Sequence, residues 1–243
     1  MERLAGALEL LDGPLDDPDA LDGNLRDLRR INHWLGGVRL SSSALTALAQ
    51  ERAGRARAGL RLIDVGTGAA DIPVTLLHDA DRRWPGLTVK AVDSRAEVIA
   101  AANRVSPQLA TLAGLSLAVS DPRRIEAPDG SFDVAHCSLV LHHLEPEAAV
   151  VLLREMARVS RLGIVVNDLS RSRLGWLGAW LIGHLLTGNR YTRQDAPMSV
   201  RRAYRVPEVD DLLKAAGLIR VRTFRGLFGH RYAIAAVADP ART

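Results

Sequence analysis

Ile63-Asp64-Val65-Gly66-Thr67-Gly68-Ala69-Ala70-Asp71 reads as the end of a strand, a glycine turn and the start of a helix. Gly66 and Gly68 let the backbone turn tightly and approach a ligand closely. A dinucleotide fingerprint would place its third glycine at position 71, where this chain has Asp71. A carboxylate at that helix start would face a pyrophosphate and repel it. The turn therefore speaks against nicotinamide and flavin dinucleotides.

Apolar runs and helical periods alternate outward from this turn. Residues 60–65 form the first run, 87–92 the second, 115–119 the third, 132–139 the fourth and 163–166 the fifth. Helical patterns occupy 72–81, 96–105, 145–159 and 206–216, and Gly217 stops the last. Residues 219–224 and 232–237 read as two closing strands. Such alternation means βαβ units and a parallel sheet. The runs are apolar throughout, as strands covered on both faces should be. In such sheets the ligand lies beyond the carboxyl ends of the strands. That rule selects residues 66–71, Asp93, Asp121, residues 136–143 and Asn167-Asp168.

Asp93 ends the second run, where an acid can accept from both hydroxyls of a ribose. Asp121 follows the third run and can accept from an exocyclic amine such as adenine N6. The set Asp64-Val65-Gly66-Thr67-Gly68, Asp93, Asp121, Phe132-Asp133-Val134, Leu141-His142-His143-Leu144 and Asn167-Asp168 resembles the class I S-adenosylmethionine-dependent methyltransferases over residues 60–237. Ala70 replaces the family's third glycine. The resemblance implies an α/β fold: a Rossmann-like, seven-stranded, mostly parallel sheet flanked by helices, its last strand antiparallel. It implies S-adenosyl-L-methionine as cofactor, leaving as S-adenosyl-L-homocysteine. Gly66 and Gly68 would pass the methionine part, Asp93 the ribose and Asp121 the adenine. Asp64, Thr67, Ser94 and Pro122 complete the cofactor-binding set, and the backbone of Cys137 would lie beside the methionine amino group. The plainer readings are an acid tying the glycine loop for Asp64, a helix cap for Asp93, a turn residue for Asp121 and core packing for Cys137.

Methyl transfer to a hydroxyl needs a base. A phenol of pKa near ~10 gains from a histidine within hydrogen-bond reach. Strands four and five would be neighbours, so His142 and Asp168 open onto one crevice. We expect His142 as general base, with Asp168 fixing its tautomer, and His143 beside it. The plainer reading is a His-His pair that supports its loop. The small-molecule branch of the family includes quinone-biosynthesis and polyketide-tailoring enzymes, and Ile31-Asn32-His33-Trp34-Leu35-Gly36 looks like their N-terminal cap. The expected reaction is O-methylation of a phenolic or enolic hydroxyl on a small aromatic or polyketide-like metabolite. C-methylation of a quinone or polyketide ring is the alternative.

Two segments flank the core pattern. Residues 1–55 read as an N-terminal helical cap before a methyltransferase core at 56–243. Within that cap, residues 1–22 are an acidic, lightly packed lead-in, 25–35 are helical and ended by Gly36-Gly37, and 43–53 are helical with Ser41, Ser42 or Ser43 as cap. Residues 170–205 read as a helical lid inserted after the fifth strand, with seven arginines against one aspartate. Trp34, Arg171, Arg173, Trp176, Tyr191, Arg201 and Tyr204 are the expected substrate contacts. The arginines follow the apolar run rather than lining an opposite face, which favours a lid or packing over a membrane contact. The stripe at 176–186 is also a possible homodimer face.

The chain has 243 residues, 47% apolar and 25% charged, which excludes wholesale disorder. All basic residues but Lys90 and Lys214 are arginine, so a net charge of +4 raises the isoelectric point to about 9.8 without implying nucleic acid. Enzymes that methylate exocyclic base amines usually carry an Asn/Asp-Pro-Pro-aromatic stretch after the fourth strand. Cys137-Ser138-Leu139-Val140 stands there instead, and aromatics are 4%. An RNA methyltransferase and a non-catalytic module on the same fold are therefore the rivals. Cys137 is the only cysteine, and no metal cluster stands out, so no metal requirement is expected. Glu2, Glu9 and Asp12 interrupt the start, so no signal peptide is expected, and the longest nearly uncharged run, 174–189, falls short of the ~20 residues that span a bilayer. A cytoplasmic protein acting on a small hydrophobic molecule is expected.

Overall fold

The computed structural model describes residues 1–53 and 59–241. Seven strands form one sheet: β1 (Arg61–Val65), β2 (Thr88–Asp93), β3 (Leu115–Val119), β4 (Phe132–Ser138), β5 (Ser160–Leu169), β6 (Leu218–Arg225) and β7 (Arg231–Ala238). Their order is β3-β2-β1-β4-β5-β7-β6. The first five are parallel, and β7 runs antiparallel between β5 and β6. The order reverses between β1 and β4, and that reversal is where an open α/β sheet leaves its crevice.

Both faces are covered, which is why the runs lack a polar alternation. Ile63, Val65, Ala135, Cys137, Ile164 and Val166 face α6 (Pro146–Val159) and α9 (Val206–Ala215). Leu62, Val89, Val134, Val165, Ala233 and Ala235 face α2 (Gly37–Ala53) and α3 (Asp71–His78). Neighbours along a strand point to opposite faces, so one apolar run feeds two cores. A third cluster joins α1 (Pro18–Trp34) to α5 (Ala96–Val105) through Leu21, Leu25, Val98 and Ala101, with Ala69 of the glycine turn among them. Short α4 (Ala80–Arg83) follows α3. The insert holds α7 (Arg173–Leu181), a π-turn (Ile182–Leu186) and α8 (Arg190–Arg202).

Four sequence expectations change. The lead-in is not loose. Asp17 caps α1 by accepting from Ala20 N, so the helix starts at Pro18, and Leu4, Leu10 and Leu11 are bonded by their backbone to α8. Its charged residues find partners across the fold: Arg3 lies 2.7 Å from Glu145, and Asp12 lies 2.6 Å from Arg202. Ser41 to Ser43 lie within α2, which begins directly after Gly36 (φ +76°). The helix expected at 72–81 breaks after His78 into α3 and α4. β5 extends to both sides of its apolar run because β4 and β7 pair with it. The expected boundary between residues 55 and 56 lies outside the described residues.

Gly163 of β5 holds φ +142°, and a Cβ there would sit 2.4 Å from the carbonyl oxygen of Ala236. Gly163→Ala should destabilise the fold by roughly 3 kcal/mol in urea melts. A wild-type midpoint in that variant would show that β7 yields to the methyl group.

Candidate active site

The glycine turn is built by its backbone. Gly66 (φ +71°), Gly68 (φ +53°) and Ala70 (φ +53°) are all left-handed, which costs a non-glycine residue such as Ala70 more. Gly66 N and Thr67 N both donate to Val92 O, at 2.8 and 2.9 Å. Gly68 N donates to Asp93 Oδ2 and Arg95 N to Asp93 Oδ1, both at 3.1 Å. Burial pushes the Asp93 carboxyl up, and these backbone donors oppose the shift. A Cβ on Gly66 would strike Val140, whereas the space beside Gly68 is open.

Asp64 is held from both sides. Thr67 Oγ1 donates to its Oδ2 at 2.7 Å, and His136 Nδ1 donates to its Oδ1 at 2.5 Å. Its contacts are those of an acid that ties the loop. Ser94 and Asp121 are exposed, and Asp121 is bound to Arg123 at 3.0 Å within its own turn, with Pro122 half-buried beside it. Cys137 is buried in the core, where burial pushes its thiol well up. Asp71, read as a ligand-repelling acid, points inward to Asn32. Burial raises it to about 6.

The second part of the site lies beyond β4 and β5. His142 Nδ1 donates to Asp168 Oδ1 at 2.6 Å, and the His142 backbone N–H donates to Oδ2 at 3.2 Å. Burial pushes Asp168 up, but the charge and hydrogen bond of His142 outweigh it and hold the carboxyl low. A carboxylate on Nδ1 fixes the tautomer that leaves Nε2 with a lone pair. Asp12 binds His143 Nδ1 at 2.8 Å in the same way.

Glu9 completes the arrangement, and the sequence carried no sign of it. It sits in the acidic lead-in, yet it is 3% exposed. Ser199 Oγ donates to its Oε2 at 2.7 Å, while Oε1 has no hydrogen-bond partner and stands 3.9 Å from His142 Nε2. Glu9, His142 and His143 form a set of donor atoms within 4.8 Å of one another that could hold a metal ion. Arg202 already brings a cation 3.6 Å from Glu9 Oε1. The inward arginine of α8 is therefore Arg202; Arg201 is exposed.

Other expected substrate contacts hold the roof together. Arg171 is buried and donates to Ala203 O and Glu208 at 2.5 Å. Tyr204 Oη donates to Leu144 O at 2.7 Å, and Tyr191 is buried against the rest of the insert. Trp34 is 80% exposed, and Arg173 and Trp176 are also on the surface.

Residues 63–166 match the family model described as a methyltransferase domain. No curated protein matches. Among solved structures, a SAM-dependent methyltransferase from Aquifex aeolicus is similar over 90% of this chain and 97% of its own, at 19% identity and a TM-score of 0.61. The magnesium protoporphyrin IX methyltransferase of Synechocystis with bound S-adenosylhomocysteine is similar over 91% and 97%, at 18% identity and 0.59. The cyclase SpnF is similar over 76% and 60%, at 20% identity and 0.52. At such identities the likeness is one of fold.

Burial works against a charged His143, but Glu9 and Asp12 outweigh it and raise its pKa. A raised histidine adds stability that is complete below its unfolded pKa and is lost as pH rises through the folded value. The advantage of wild type over His143→Gln in urea melts should therefore shrink as pH rises above the ordinary histidine value of about 6.5. A constant difference would show that folding does not shift the His143 pKa.

Proposed function

We propose that this chain, of which residues 63–166 match a methyltransferase domain model and whose fold is that of a SAM-dependent methyltransferase, methylates a hydroxyl of a small aromatic or polyketide-like acceptor, with His142 as general base. The observation that carries the reading is the His142–Asp168 pair at 2.6 Å, buried where β4 and β5 end.

The residues fit the cofactor. Gly68 leaves open space at the turn, and Asp93 lies against that turn, its carboxylate accepting from Gly68 N and Arg95 N. Gly66, Thr67 and Gly68 would hold the methionine part, Asp93 and Ser94 the ribose, and Asp121 and Pro122 the adenine. Bound S-adenosylmethionine supplies an electrophilic methyl group on a sulfonium. His142 Nε2 accepts the acceptor's hydroxyl proton as its oxygen becomes nucleophilic. Asp168 stabilises the resulting imidazolium and keeps the ring from turning. The roof of residues 1–13 and α8 keeps water from the histidine. Positioning of the acceptor against the methyl group supplies much of the remaining rate.

Calorimetric titration with S-adenosylhomocysteine tests the cofactor class. We expect binding that Asp93→Ala loses, and no binding of NADH. Failure of S-adenosylhomocysteine to bind would overturn the reading. A chain that binds it yet methylates no phenol, enol or quinone would instead favour the second reading, a non-transferring enzyme on this fold, since the cyclase SpnF is among its structural neighbours.

Given turnover, His142→Gln should lower kcat by roughly 10²–10⁴ while S-adenosylhomocysteine affinity holds. Asp168→Asn should act in the same direction. Product analysis by NMR separates an oxygen-bound from a ring-bound methyl group, and the latter would assign C-methylation. Turnover should survive EDTA, because Arg202 already faces Glu9; loss restored by a divalent ion would place a metal among Glu9, His142 and His143.

A further inference from the structure

The α7 segment is apolar, yet it faces water. None of the residues of α7 is buried. Leu174, Trp176, Leu177, Trp180, Leu181, Leu185 and Leu186 are each exposed by 37% to 75%. The small residues turn inward instead. A Cβ on Gly175 would stand 3.6 Å from Val200, and one on Gly183 would stand 3.1 Å from the backbone of Arg193. Glycines eight residues apart on a helix share one face. This segment therefore packs its small side on α8 and shows its bulky side to the outside. Trp180 is further held by stacking on His184 at 4.5 Å.

Two other apolar tips lie at the same end of the sheet. The β6–β7 turn exposes Leu227 by 69% and Phe228 by 84%, and Ser170, just before α7, donates to its His230 carbonyl. Trp34 and Leu35 end α1, which is tied there by Arg231 Nη1 to Asn32. The three segments that carry these tips, 28–50, 170–194 and 218–238, contain no Asp or Glu. Arg39, Arg173, Arg193 and Arg225 are exposed among them.

We propose that this end of the molecule docks on the surface of an anionic lipid bilayer. Among the described residues no helix is long and apolar enough to cross a membrane. A short helix with tryptophans and leucines outward instead lies in the interface, roughly 5–10 Å deep. Tryptophan suits that depth, with its apolar ring and one polar N–H. Arginines at the rim reach the headgroups with their stems on the apolar surface. The surplus of exposed arginines decides between occupants, the nearby acids Asp16, Asp17 and Asp27 being tied to Arg190, Thr187 and Thr192. A second copy docked through the same face would set these arginines against their own equivalents, which is repulsive. An anionic surface meets them with the opposite sign. The docked face holds the carboxyl ends of the strands, but the inference is independent of methyl transfer, and its readout is binding.

The test is co-sedimentation with vesicles of phosphatidylcholine alone and of phosphatidylcholine with phosphatidylglycerol. Wild type should pellet with the anionic vesicles, and its tryptophan emission should shift to the blue. Leu177→Ser with Leu185→Ser should weaken binding more than tenfold, while the thermal midpoint stays at the wild-type value. Arg173→Ala with Arg193→Ala should cost about tenfold on the anionic vesicles and little on the neutral ones. No pelleting of wild type, or pelleting that both variants retain, would overturn the proposal. So would a dimer in sedimentation velocity that the leucine variant dissolves without vesicles, since the face would then belong to a second copy.

Discussion

One buried chain of hydrogen bonds holds the strand ends in place. Asp64 accepts from His136, whose Nε2 accepts from Ser41 at 2.7 Å. Asn167 donates to Ser41 at 2.6 Å and to Gly37 O at 2.8 Å. Arg231 then donates to Asn167, Asn32 and Ser138 at 2.6, 2.7 and 2.8 Å. The chain thus ties β1, β4, β5 and β7 to α1 and α2. Burial lowers the Arg231 pKa to about 10, against the raising effect of Asp168 and Asp71. A buried guanidinium with its partners removed would carry an uncompensated charge, so each link makes the others necessary. Such a network costs desolvation and returns a single arrangement. Here that arrangement puts the glycine turn and Asp168 at fixed places on one sheet edge.

A second set of charges closes the roof. Asp12, Glu9 and Glu145 lie on or beneath the N-terminal segment, and Arg3 and Arg202 cross between that segment, α8 and the loop after β4. Arg202 Nη2 also donates to the His143 carbonyl at 2.5 Å. This end of the crevice is therefore assembled from residues nearly two hundred positions apart in sequence.

That separation explains what the sequence disclosed and what it withheld. The apolar runs, the acids that end them and the neighbouring of β4 with β5 follow from local patterns and from the geometry of parallel sheets. The contact of His142 with Asp168 follows from the same geometry. Glu9 and Ser41 follow from nothing local: one lies in a tract that reads as solvated acid, the other in a serine triplet that reads as a helix cap. Arg201 and Arg202 are adjacent, and only the phase of α8 separates the surface from the site. An apolar run cannot say which of its sides is bulky and which is small. Along this segment Gly175 and Gly183, not the tryptophans, face α8, so hydrophobicity alone pointed the wrong way.

The protein holds two Asp–His pairs of almost equal length, Asp64–His136 at 2.5 Å and Asp168–His142 at 2.6 Å. Both carboxylates sit on Nδ1, and both rings are buried. Their difference is the other nitrogen. His136 Nε2 is taken by Ser41, and Ser41 is taken in turn by Asn167, so that lone pair is spent on structure. His142 Nε2 has no hydrogen bond among the described residues; its carboxylate neighbour Glu9 stands at 3.9 Å, beyond hydrogen-bond reach. A base needs an oriented ring and an uncommitted lone pair together. Sequence places His136 within the fourth apolar run and His142 after it. The surroundings of Nε2 separate them: under the roof the lone pair is uncommitted, and inside the sheet it is bound to Ser41.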